Sequence, residues 1–188
     1  MLKIYTKSFF NQFTPLLSAI TLVIFALSLL SIGNVFISNL HAQNKNIIYA
    51  KVIAISDGDT ITVLTENNTQ LKVRLASIDA PERSQAFGMK SRQYLANQIF
   101  GKTVTIKTRG LDKYQRTFGI VFLEDQDINE LMIKDGYAWF YRRYINAQPQ
   151  EEYFRYDAAE ESAKSQKLGL WEDPNPIPPW EYRQSAKK

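Results

Sequence analysis

Six side chains concentrate the chemistry open to this chain of 188 residues. Asp57 and Asp59 flank a glycine in "DGDT", Arg74, Asp79 and Glu82 fall within "RLASIDAPE", and Arg116 closes "DKYQR". The chain has no cysteine and one histidine, His41. Serine–histidine and cysteine–histidine catalysis, thiolate metal sites and imidazole-based nuclease chemistry are therefore excluded for everything after residue 42. Two carboxylates that converge repel each other unless a proton or a cation lies between them. With oxygen donors only, the natural guest is a hard cation such as calcium or magnesium. A cation, two guanidiniums and a spare carboxylate meet the needs of phosphodiester hydrolysis without histidine. The cation polarises a phosphoryl oxygen, the arginines neutralise charge growing at phosphorus, and the carboxylate takes a proton from water. Arginine suits this work better than lysine because its planar fork meets two phosphate oxygens at once. Taken singly, the aspartates read as turn residues around Gly58, Arg74 as an exposed strand residue and Arg116 as a solvated turn residue. Only their combination points to catalysis.

The elements that must position these groups follow from hydrophobic period. Residues 47–78 alternate as three successive strands, with Asn67-Asn68 as a hairpin turn. Strand parity puts Asp59 on the face of Ile61 and Val63, and Asp79 on the face of Leu71, Val73 and Leu75, where the apolar residues give out at a barrel rim. Arg74 has the opposite parity and needs a bulge or a curled strand to reach that rim. Phe87, Ser91, Leu95 and Ile99 share one face of a helix over 84–99, stopped by Gly101. "KTVTIKT" and "FGIVFLE" form two further strands. Asp127 and Glu130 open a short helix as a capping box, closed by Gly136, and a third helix runs from near Pro149 to Lys167. Five strands with a helix after the third is the order of an OB-fold barrel, so the fold class is a β-barrel with helices (α+β): five strands, about three helices and a hydrophobic leader. The tail "DPNPIPPWEYRQSAKK" is rich in proline and is expected not to continue a helix.

The leader is the apolar run at 16–33, preceded by Lys3 and Lys7 and followed by polar residues. It reads as a signal peptide, with cleavage after Ala42, or as a membrane anchor. The lysines favour a cytoplasmic amino terminus, so the working domain is expected to be extracytoplasmic: periplasmic, secreted or tethered outside. The expected organisation is a leader at 1–42, a domain at 43–173 and a tail at 174–188. Removing Lys3 and Lys7 from the 23 basic residues leaves 21, against 19 acidic ones, a net of +2. Any polyanion is then met at a local patch rather than by bulk charge. "YRRYINAQPQEEYFRY" offers Arg142, Arg143 and several tyrosines as a surface for single strands, or simply as a solvated helix face.

"DGDT" at 57–60, "RLASIDAPE" at 74–82, "DKYQR" at 112–116, "NELMIKDGYAW" at 129–139 and "LGLW" at 168–171 together resemble, in order and spacing, the staphylococcal nuclease (thermonuclease) family, over residues 47–173. The resemblance implies calcium ligation by Asp59, Asp79 and the backbone carbonyl of Ala80, with Asp57 supporting them from behind. Glu82 would be the general base and Arg74 and Arg116 the phosphate and transition-state clamps. Lys113 and Tyr114 would lie along the nucleotide groove. It also implies a monomeric, calcium-dependent endonuclease that hydrolyses DNA and RNA with little sequence preference and leaves 3'-phosphate ends. Some domains of this fold serve instead as nucleic-acid or protein binding modules, and these usually lack the carboxylates or arginines that this chain keeps. One position departs from the family: Gln115 stands where glycine is usual, with the expected consequence of a strained turn before Arg116.

Overall fold

Alternation of apolar and polar residues turns one face of each long strand into the interior of a barrel. The structure is a computed structural model that describes residues 46–143 and 148–185. The 16–33 run, on which the leader and the membrane tether were read, lies outside the described residues. Among those described, no helix is long and apolar enough to cross a membrane.

The strands are β1 (Ile47–Asp57), β2 (Thr60–Thr65), β3 (Gln70–Leu75), β4 (Ile78–Asp79), β5 (Thr103–Leu111), β6 (Thr117–Leu123), β7 (Gln126–Asp127) and β8 (Trp139–Phe140). The helices are α1 (Gly88–Ile99), α2 (Ile128–Lys134), α3 (Gln150–Ser165) and α4 (Pro179–Ser185), with a 3-10 turn at Gly169–Glu172. β1 pairs antiparallel with β2 and β5, β2 with β3, and β5 with β6. A parallel pairing of β3 with β6 then closes the barrel. This is the five-stranded OB-type barrel that the element order predicts, with α1 between its third and fourth strands.

Val52, Ile61, Val63, Val73, Leu75, Val104, Ile106 and Val121 are fully or almost fully buried, in one cluster with Leu95 and Ile99 of α1 and Ile128, Met132 and Ile133 of α2. Val52 and Ile55 both face inward although they are three residues apart, because the β1–β2 register shifts between Val52 and Ala54. A bulge adds one residue and curls the strand more tightly. Further shifts lie between Ile55 and Asp57 and, in β5, between Thr108 and Leu111. Both fall just before a segment that carries site residues.

Asn68 takes a positive φ of 55° at the predicted hairpin turn. Asp127 caps α2 by accepting the Glu130 backbone N–H, while the Glu130 carboxylate pairs with Arg155 of α3. The motifs around residues 129–139 and 168–171 are largely structural. The buried Asn129 amide donates to the Ala76 carbonyl at 2.8 Å and its oxygen accepts the Val121 N–H at 3.1 Å, tying α2 to the end of β3 and to β6. At Gly136 φ is +74°, and an added Cβ would meet the Leu168 carbonyl oxygen at 2.2 Å. Only glycine lets these two segments touch, and the Leu170 N–H then donates to the Gly136 carbonyl at 2.8 Å.

Three expectations need correction. The third strand stops at Leu75, because Ala76 and Ser77 form a turn in which Ser77 has φ 62°, so parity does not extend from Leu75 to Asp79. The first helix begins at Gly88 rather than 84; Ser84–Phe87 form turns, with Phe87 at φ 70°. The proline-rich tail does carry a helix. Pro179 opens α4, and proline is well suited to a first helical turn, where its missing N–H costs nothing.

Candidate active site

The turn between β1 and β2 brings Asp59 to the barrel rim. Gly58 makes this possible by close approach: a Cβ there would lie 1.9 Å from Ser91 Oγ of α1 and 2.7 Å from Ala80 Cβ. Asp59 is 5% exposed. Its Oδ2 accepts the Ala80 N–H at 2.7 Å, its Oδ1 accepts the Thr60 hydroxyl at 3.0 Å, and its own N–H donates to Asp57 Oδ1 at 3.2 Å. The left-handed turn at Ser77 sends the chain back across the rim, where β4 pairs with β8 and delivers Asp79, 1% exposed.

Arg74 reaches both aspartates despite its outward parity. Nη2 lies 2.9 Å from Asp59 Oδ2 and 3.0 Å from Asp79 Oδ1, while Nη1 donates to the Leu75 carbonyl at 2.9 Å. Reversal of the chain at Ser77, rather than a bulge in β3, makes the contact: Asp79 comes to the arginine. Burial pushes the Asp59 carboxyl up to about 8, with Asp57 and Asp79 raising it further and Arg74 and the Ala80 N–H opposing them. A carboxylate so deprived of water and so close to like charges has a strong call for cationic partners.

Arg116 is held by a tight loop. Asp112 accepts the backbone N–H groups of Tyr114 and Arg116 at 2.8 and 3.0 Å, and Arg116 Nε at 2.7 Å. Burial works to raise the Asp112 pKa, but these hydrogen bonds and the Arg116 charge outweigh it and hold the carboxyl below its ordinary value. Gln115 has φ 60°, the left-handed conformation that glycine adopts without penalty. Arg116 nevertheless keeps its place at the cleft, so the departure strains the turn without moving the guanidinium away. Gln115→Gly is expected to raise stability by up to about 1 kcal/mol, because relief of roughly 1–2 kcal/mol of left-handed strain is partly cancelled by the ordering cost of glycine. A denaturant melt that shifts to lower midpoint would overturn that account of the turn.

One cleft of about 450 Å³ collects the nine site residues drawn from the first three motifs: Asp57, Asp59, Arg74, Asp79, Ala80, Glu82, Lys113, Tyr114 and Arg116. The Tyr114 ring is exposed, with Lys113 Nζ 4.9 Å and the Arg116 guanidinium carbon 5.3 Å from its centre. Arg142 is not part of this surface. It pairs with Asp157 at 2.5 Å and Glu160 at 2.8 Å and lies over the Phe140 ring, joining α3 to β8.

Tyr141 and Arg143, from the segment read as a surface for single strands, line the same cleft, as do Trp180, Arg183 and Gln184, which were not singled out from the sequence. The available signal was "PPWEYR": prolines suited to a helix start, followed by Trp180 and Arg183 three residues apart and so on one helix face. Arg183 Nη2 lies 2.6 Å from Asp79 Oδ2, and Nη1 lies 2.7 Å from Glu82 Oε1 and 3.1 Å from Asp79 Oδ1. Among the described residues no group of three or more His, Cys, Asp or Glu side chains forms a ready metal cluster. A metal here would draw on two carboxylates, main-chain oxygen and water, a donor set that fits a hard cation.

A family model described as "Staphylococcal nuclease homologue" matches residues 72–173. The chain is 45% identical over 137 residues to a Haemophilus influenzae protein named an uncharacterized endonuclease, spanning 73% of this chain and 74% of that protein. It is 41% identical over 146 residues to a micrococcal nuclease of Shigella flexneri, spanning 73% and 81%. An uncharacterized endonuclease of Escherichia coli is 36% identical over 137 residues, spanning 72% and 85%.

Proposed function

Because the chain belongs to the staphylococcal nuclease family, we propose that it is an extracytoplasmic, calcium-dependent endonuclease that cleaves DNA and RNA with little sequence preference and leaves 3'-phosphate ends. The observation that carries this reading is the cluster at the barrel rim: Arg74 bridges Asp59 and Asp79, with Glu82 and Arg116 lining the same cleft. Asp59, Asp79 and the carbonyl of Ala80 would hold calcium. Bound there, the ion would supply Lewis-acid polarisation of a phosphoryl oxygen.

The chain's own residues supply the rest. Glu82 is about one-third exposed, at the solvent side of the pair, where a carboxylate can take a proton from an attacking water. Arg74 and Arg116 offer fixed guanidinium forks to the phosphate, each already oriented by a carboxylate. Lys113 and the exposed Tyr114 offer charge and a stacking face to a flanking nucleotide. The lining holds four carboxylates, Asp57, Asp59, Asp79 and Glu82, against five cations, Lys113 and Arg74, Arg116, Arg143 and Arg183. A site with this balance becomes strongly positive once a divalent cation joins it, which suits a polyanionic strand. The apolar leader supports export or a membrane tether, with the domain acting outside the cytoplasm.

The test is degradation of denatured plasmid DNA, and of RNA, by the purified full chain in millimolar calcium or in chelator. Loss of both polymers in calcium alone is expected, with DNA products that terminal transferase cannot extend at the 3' end until phosphatase has acted. Retained binding of DNA without cleavage would favour a binding module instead.

A further inference from the structure

Arg183 stands in an unusual position for a residue of a terminal tail. It projects from α4, beyond residue 173 where the family match ends, yet its guanidinium lies on Asp79 and Glu82. The two oxygens of Asp79 are both engaged by guanidinium N–H groups: Oδ1 by Arg74 at 3.0 Å and Arg183 at 3.1 Å, Oδ2 by Arg183 at 2.6 Å. A divalent cation on either oxygen would sit within contact distance of the Arg183 charge, and like charges that close in a half-buried site repel strongly.

Of the two arginines on Asp79, Arg183 is the one able to leave. Arg74 belongs to β3, its side chain is 15% exposed, and it is pinned to the Leu75 carbonyl and to Asp59 as well. Arg183 is 42% exposed on a helix of seven residues. The tail carrying it is fastened by a few separable contacts. Gln85 Nε2 donates to the Ile177 carbonyl at 2.6 Å, the Tyr182 hydroxyl lies 3.1 Å from Ser84 Oγ, and Trp180 packs on Tyr141 and Trp139 with ring centres 5.5 and 5.7 Å away.

We propose that α4 is a latch and Arg183 an internal counter-cation, which competes with the divalent metal for Asp79 and also holds the Glu82 carboxylate, so that metal loading requires the latch to leave. This rests on the reading of Asp59 and Asp79 as metal ligands. In the latched form the carboxylates are neutralised by the chain itself, which keeps a cluster of buried acids stable before calcium arrives. Calcium then displaces Arg183, frees Glu82 and opens the cleft to substrate.

The experiment is calcium binding, by calorimetry on the full chain in detergent, for the wild type and for Arg183→Gln. The variant is expected to bind calcium about tenfold more tightly or better, because the competitor's charge is gone. In parallel, amide hydrogen exchange across residues 174–185 of the wild type is expected to quicken when calcium is added. Equal or weaker affinity in Arg183→Gln overturns the latch, as does tail exchange that calcium leaves unchanged or slows. Calcium binding of equal strength in both proteins would leave the metal site standing and remove only the latch. Failure of both proteins to bind calcium would remove the metal site and the latch with it.

Discussion

Glu82→Gln is expected to lower turnover on denatured DNA by about 10²–10⁴-fold, the range general-base catalysis contributes, while the protein still folds. The side chain is about one-third exposed, and its carboxylate meets Arg183 at 2.7 Å. The backbone around it is held independently: the Glu82 N–H donates to Gln85 Oε1 at 3.1 Å, and the Gln85 N–H donates to the Glu82 carbonyl at 2.8 Å. Glutamine keeps the shape and an acceptor oxygen for Arg183 but cannot take a proton from water. The fall should therefore appear in kcat at saturating calcium, with the melting temperature within a few degrees of wild type. A variant with near-normal kcat would remove Glu82 from the proton transfer, and a variant that fails to fold would show the carboxylate to be structural.

Asp59→Asn is expected to weaken calcium binding by about 10²-fold or more, because affinity for a hard cation tracks the number of charged oxygens offered. The clearest readout is thermal. Calcium at a hundred times its dissociation constant should stabilise the wild type by about 2.7 kcal/mol, since it binds the folded form alone. The same calcium should stabilise the variant by no more than about 0.4 kcal/mol. The Ala80 N–H and the Arg74 guanidinium both donate to Asp59 Oδ2, at 2.7 and 2.9 Å, so an asparagine amide that keeps its oxygen there satisfies both and turns its N–H₂ group to the Thr60 hydroxyl, which now donates to Oδ1 at 3.0 Å. In chelator the variant should melt close to the wild type, because the Thr60 hydroxyl can turn to accept from that group and no buried partner is left unpaired. A calcium-dependent rise in melting temperature as large as that of the wild type would show that Asp59 is not a ligand.

Much of the barrel was legible because local rules and tertiary outcome coincide there. The alternation of Ile61, Val63, Val73, Leu75, Val104 and Ile106 has one solution in a half-buried strand, and all six side chains are inside. The Asp127 cap and the Asn68 turn are equally local, each decided by a side chain within a few residues of the backbone group it serves. The order of the motifs was enough to draw out nine residues that the fold then brings to one cleft.

The route by which those residues meet was not legible. Parity placed Asp79 at the rim for the wrong reason and left Arg74 facing away, because alternation holds only while the strand continues. A single left-handed residue, Ser77, ends it, and nothing in a serine announces a positive φ. The tail is the sharper case. Read locally, its prolines bar a helix that continues into Pro179 from the residues before it, and they do not reveal that the seven residues from Pro179 to Ser185 are helical or that Arg183 returns 104 positions to Asp79.

By itself, then, the order of residues determined the barrel strands, two helix caps, the inventory of acids and arginines, and the exclusion of histidine and cysteine chemistry after residue 42. These depend on interactions a few residues long or on composition alone. Only the tertiary structure decided that Asp59 and Asp79 share Arg74, that Gln115 keeps its left-handed turn without dislodging Arg116, and that Arg183 occupies the acidic cluster. Each of those results is a charge or a backbone strain balanced by a group distant in sequence or held by the surrounding fold, and such balances exist only once the chain has closed around them.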